Sequence, residues 1–115
     1  MRHVRLNDIV PFQFTPVDPA DEYTKKAGLV DADFSKAIWR NAVAPPLDAY
    51  EFGLIQEIAG SPGEYRGLIT FKAMSGLDFD VWELEIVWGA EKERFVEVFR
   101  VSRFVIEDTI RGIPL

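Results

Sequence analysis

"VWELEIVWGAEKERFVEVFRV", residues 81–101, decides how this chain is read. It is either one amphipathic helix or two strands joined by a turn. As a helix, Phe95, Val98, Phe99 and Val105 would roughly share a face. However, Val81, Ile86, Val87, Val96 and Val98 are β-branched and stiff at χ1, and Gly89 interrupts the run. As strands, Trp82, Leu84, Ile86 and Trp88 alternate with Val81, Glu83, Glu85 and Val87, which is the two-residue period of a half-buried sheet. "GAEKER", 89–94, then returns the chain.

A loop centred between Glu91 and Lys92 places Trp88 opposite Phe95, Leu84 opposite Phe99 and Trp82 opposite Val101. It also sets Glu83 against Arg100, an opposite-charge pair on the other face. A one-residue slip would bring Arg94 and Arg100 onto the apolar row, so the first alignment is preferred. It leaves one oddity. Glu97 falls on the core side between Phe95 and Phe99. A lone buried carboxylate would stay protonated and would suit acid–base work or the binding of a cation. The alternatives are a water-filled opening of the sheet, a bulge, or an arginine reaching over from another element.

Upstream, "YRGLITFKAM" alternates cleanly, with Tyr65, Ile69, Phe71 and Ala73 on one side. "YEFGLIQEIA" alternates less well, with Phe52, Leu54 and Ile58 opposing Glu51, Ile55 and Glu57; Gly53 disfavours a helix there. "GSPGE" is a turn by composition, so 50–73 reads as a hairpin.

The N-terminal part reads differently. Val4 and Leu6 suggest a short strand. Pro11 and Pro16 exclude the centre of a sheet but allow an edge, and Phe12 and Phe14 point the same way. "DPADEYTKKAG", 18–28, carries helix signals: Asp18 as N-cap, Pro19 in the first turn, Glu22–Lys26 and Asp21–Lys25 pairs, and Gly28 as the stop. "DADFSKAIWRNAVAPP" offers Phe34, Ala37, Ile38 and Ala42 at helical spacing, ended by Pro45 and Pro46.

The expected architecture is therefore α+β in a single domain over 1–115. It has an extended arm over 1–17, a helical pair over 18–44, and a curved, mostly antiparallel sheet of about four to six strands over 49–110.

Composition narrows function. Thirteen basic against 19 acidic residues give a net charge of −6, which argues against direct nucleic-acid binding. The chain has no cysteine, so thiol chemistry and disulfides are excluded and a cytoplasmic location is expected. No apolar run approaches a membrane span. His3 is the sole histidine and sits near a chain end. Asp78, Asp80, Glu83 and Glu85 lack the spacing of a cation-binding loop. No metal or cofactor is expected.

Two functional expectations follow. The first is a non-catalytic binding or interaction module, joined as a homodimer through sheet faces or edges. Val81, Val87, Val96 and Val98 motivate it, because they would be exposed on the second face of the hairpin in a monomer. The second is a small-molecule pocket, possibly enzymatic, with Glu97 as acid–base or cation-binding group among Trp82, Trp88, Phe95 and Phe99. The absence of a nucleophile–base set favours the non-catalytic reading and leaves a protein or small-molecule partner open.

Overall fold

A computed structural model describes residues 1–18 and 24–103. The strands in chain order are β1 (Arg2–Arg5), β2 (Ile9–Phe14), β3 (Val17–Asp18), β4 (Thr24–Lys25), β5 (Phe34–Arg40), β6 (Tyr50–Phe52), β7 (Gln56–Glu57), β8 (Tyr65–Phe71), β9 (Phe79–Trp88) and β10 (Glu93–Ser102). One sheet runs β1-β10-β9-β5. A second runs β2-β8-β6, with β7 also on β8, and β3 pairs β4 separately. Among the described residues, only the β1–β10 pair is parallel.

The two main sheets face each other across an aromatic interior. Phe71 of β8 meets Trp82 of β9 at 4.9 Å and Phe99 of β10 at 5.2 Å between centroids. Phe14 of β2 meets Trp88 at 5.6 Å and Phe34 of β5 at 5.3 Å. Such offset and edge-on ring pairs add to the burial that holds a sandwich together.

The first strand feeds both sheets. The Leu6 N–H donates to Ser102 O in the first sheet, and the next amide, Asn7, donates to Phe71 O in the second. Asn7 turns this corner at φ 70°, a left-handed conformation that Asn tolerates better than most residues. Residues 1–14 are thus not an arm lying on a body. They are a strand that changes sheets. β2 is an edge, as Pro11 requires.

The expected α+β class is wrong: the described residues hold no α-helix, only the 3-10 turns Asp31–Asp33 and Leu47–Ala49. In place of the second helix, Phe34–Arg40 pairs with β9 along seven residues, from Phe34↔Trp88 to Arg40↔Trp82. Phe34 and Ile38, four apart, share a face in a strand as well as in a helix. The inward positions between and after them are Lys36 and Arg40, which hide the alternation. They are tolerated because their cations lie over rings, Lys36 Nζ 5.6 Å from Phe52 and Arg40 Cζ 5.7 Å from Trp82.

The first expected helix is replaced at both ends by the β3–β4 pair, with Lys26 N–H donating to Pro16 O. Its centre, residues 19–23, lies outside the described residues, as does the 104–110 end of the expected sheet. The helix signals there were local charge pairs worth a few tenths of a kcal/mol each. Only Tyr23 and Ala27 were available to pack.

The hairpin over residues 81–101 forms with the expected faces but a different register. Phe95 opposes Ile86, Glu97 opposes Leu84, Phe99 opposes Trp82, and Glu83 opposes Val98, not Arg100. The loop is four residues, with Gly89 and Lys92 at positive φ and the Lys92 N–H bonded to Gly89 O. Glu93 and Arg94, expected in the loop, begin β10. The slip is two residues, so every side chain keeps its face.

A bulge separates β6 from β7. Phe52 opposes Ile69, but Glu57 opposes Tyr65, so the intervening stretch carries one residue more on this side than on β8. The inserted residue exchanges the two faces. Ile55 is buried at 2% exposure and Leu54 is exposed at 65%, the reverse of simple alternation.

Beyond β5 the chain turns back through Asn41 and Ala42, at φ 51° and 65°, with Arg40 and Val43 exchanging both backbone hydrogen bonds. This is a two-residue turn of the I′ kind. Ala42 holds a left-handed backbone at a cost of about 1–2 kcal/mol. Ala42→Gly is therefore expected to raise stability by about 0.5–1 kcal/mol, measured by urea unfolding.

Candidate functional site

Glu97 lies on the core side of β10, as its parity demands, and β1 explains why it is tolerated there. β1 covers β10 only from Phe99 to Ser102. At Glu97 the strand is therefore an edge, and the side chain keeps 24% exposure. Arg2 reaches over from β1. Its Nη1 lies 3.4 Å from Glu97 Oε2, its guanidinium lies 5.0 Å from the Phe99 centroid, and it donates to Pro11 O on β2. Arg2 thus ties both sheets at this corner.

The four aromatic candidates separate. Trp82 and Phe99 are fully buried, packed on Phe71. Trp88 and the half-buried Phe95 lie farther along the hairpin, stacked on Phe14 at 5.6 and 5.3 Å. The five residues share one hairpin face, but the second sheet's rings pack against them. The indole N–H groups of Trp82 and Trp88 are buried without an acceptor among the described residues.

Asp80, one of the four acids whose spacing does not make a cation-binding loop, is a buried carboxylate. It is fully buried on β9, opposite Val101. It accepts from the Ser75 and Gly76 amides at 2.8 Å each, from Asn41 Nδ2 at 3.0 Å and from Ser75 Oγ at 3.1 Å. Burial pushes this carboxyl up. The donors from Ser75, Asn41 and Gly76 more than offset it, so the carboxyl sits below the usual range. Asn41 also accepts from the Val81 N–H at 2.9 Å and donates its own N–H to Val81 O. This cluster positions the β5 turn and the 75–76 loop. Every polar oxygen is used, which marks it as structural. Among the described residues no group of acids or histidine is arranged to hold a metal.

The opposite face of the first sheet is the open one. Across β10, β9 and β5, Val98, Glu83 and Trp39 lie in one row, and Val96, Glu85 and Ala37 in the next. Val96 is 44% exposed, and Val81, Val87, Val98 and Trp39 are each half-buried. Trp39, Ala42, Val81, Glu83 and Val98 line a shallow concavity of ≈ 350 Å³. Among the described residues, no second layer covers this face.

The sheet edges, in contrast, are closed to strand addition. β5 carries inward Lys36 and Arg40, the open part of β10 carries inward Glu97, and β2 contains Pro11, whose carbonyl is occupied by Arg2. β1, β6 and β7 are four, three and two residues long. Inward charges, proline and short strands are the usual means of preventing edge-to-edge pairing. On the β5 side, Asp31 accepts from the Ile55 N–H at 2.8 Å and from Lys36 Nζ at 2.7 Å, which links that edge to the second sheet.

No family model, curated protein or solved structure matches this chain. Among the described residues, no helix is long and apolar enough to cross a membrane.

Proposed function

We propose that this protein is a non-catalytic interaction module that self-associates through the outer face of its β1-β10-β9-β5 sheet. The observation that carries the reading is the apolar strip Trp39, Val81, Val96 and Val98, left open on a face whose flanking edges are blocked. Apolar surface of this kind, here interleaved with Glu83 and Glu85 of the central strand, is where chains meet. The blocked edges direct association to the face and away from strand pairing. A cysteine-free chain suits a reducing cytoplasm, and that location is part of the proposal.

Val98 is central to the strip and half-buried in the single chain. Val98→Lys would place an ammonium against the opposing apolar surface. The expected result in sedimentation equilibrium is a fall from twice the chain mass to the chain mass, with the thermal midpoint of the monomer little changed. A dimer of undiminished affinity would remove this face from the account.

A further inference from the structure

The outer face carries two charges of opposite sign that no described residue pairs by hydrogen bond or salt bridge. Among the described residues, the side chains of Glu83 and Arg100 make no hydrogen bond or ion pair. Glu83 is exposed in the lining of the concavity, between Val98 and Trp39. Arg100 has its Nε buried without an acceptor, and its guanidinium lies 3.9 Å from the Phe79 centroid. The other acid–base pair of this face is satisfied internally, with Arg94 Nη1 3.3 Å from Glu85 Oε2.

The register gives these charges a defined geometry. Arg100 opposes Val81 and Val98 opposes Glu83. The four residues form a quadrilateral, with the charges on one diagonal and the valines on the other. Diagonal neighbours of this kind lie about 7–8 Å apart, within reach of long side chains. Arg100 nevertheless rests on Phe79 and leaves the carboxylate free.

We propose that the partner of this face is a second copy of the chain, held by two reciprocal Glu83–Arg100 ion pairs around a valine centre. This rests on the self-association reading and adds to it the orientation of the two copies. A twofold interface requires that if residue i touches residue j, then j touches i. The axis in the interface plane that exchanges Glu83 with Arg100 runs close to the Val81–Val98 diagonal. Each valine then packs near its own counterpart, and each carboxylate faces the guanidinium of the other copy. Both orphan charges are satisfied in one step. Orientations that place Glu83 on Glu83 or Arg100 on Arg100 are disfavoured by like-charge repulsion.

The test is charge reversal, read by sedimentation on the full chain. Glu83→Arg and Arg100→Glu are each expected to weaken the dimer by about 30-fold or more. The doubly reversed chain is expected to recover association. An equimolar mixture of the two singly reversed chains is expected to form a mixed dimer, because both contacts then join opposite charges. Far-UV circular dichroism and thermal melts confirm that each variant is folded. If both single reversals leave the dimer intact while Val98→Lys dissolves it, the face is correct and the ion-pair geometry is overturned. If the single reversals dissociate the dimer and the mixture stays monomeric, reciprocal pairing is overturned. A wild-type chain that is itself monomeric overturns the self-association reading and this proposal together.

Discussion

Asp80→Ala is expected to be the most damaging single substitution, lowering the unfolding free energy by about 3 kcal/mol or more at neutral pH. A hydrogen bond to a charged group contributes about 1.5–3 kcal/mol, and each buried donor left behind adds a desolvation cost. Four donors converge on this carboxylate; alanine would take the acceptor from the Ser75 and Gly76 amides and the Ser75 hydroxyl, while Asn41 Nδ2 would keep Ser75 Oγ at 3.0 Å.

The same group sets an acid limit. Its folded pKa lies below its unfolded value, which for an aspartate is about 3.9. The stabilisation is therefore complete above the unfolded value and is lost as pH falls through the lower folded value. Asp31 acts in the same direction. Burial pushes its carboxyl up, and the Ile55 N–H and the Lys36 ammonium more than offset it. Urea unfolding across the acidic range is expected to show wild-type stability falling steeply towards about pH 3. The Asp80→Ala curve should be flatter, so the two converge in acid. Parallel curves would show that the carboxylate is not the cause.

The second large effect is at Gly67. It opposes Phe12 across the β2–β8 pair. A Cβ built there would stand 2.2 Å from Phe12 Cζ and within 2.8 Å of two further ring atoms. The ring has little room to yield, since it stacks on Phe14 and Phe95 at 6.2 Å each. Gly67→Ala is expected to cost about 1–3 kcal/mol through overpacking, against the usual gain from removing a strand glycine. Phe12→Ala is expected to cost about 3–5 kcal/mol through the cavity it leaves. In the double variant the new methyl occupies part of that cavity. Its cost should therefore fall below the sum of the two by at least about 1 kcal/mol. Additive costs would mean that ring and glycine do not share the space.

Much of this was legible in the sequence, and particular residues show where legibility ended. The alternation of Trp82, Leu84, Ile86 and Trp88 identified the central strand, and the parity of β10 held despite a two-residue slip. The slip arose because a four-residue loop and a six-residue loop preserve the same faces. Periodicity cannot separate them. β5 was misread because Lys36 and Arg40 occupy inward positions of an edge strand, so its hydrophobic pattern is broken where edge protection requires it. Ile55 and Leu54 exchanged faces at a bulge that composition does not announce. The burial of Asp80 was not legible because its donors, Asn41, Ser75 and Gly76, come from separate segments.

Glu97 shows the same principle from the other side. Sequence alone presented a carboxylate among phenylalanines, with function and ion pairing as competing explanations. The short reach of β1 leaves that position at an edge, and Arg2 provides the counter-charge. The valines of the opposite face were legible from the start, because alternation assigns both faces of a strand at once. What sequence could not give was that the edges beside them are blocked, since that depends on which strands end the sheets.

The most direct measurement is the mass of the wild-type chain by light scattering over a wide concentration range. The account predicts a rise from the 13.1 kDa chain mass towards twice that value, with the rise abolished in Val98→Lys. A mass that stays at 13.1 kDa throughout would contradict it.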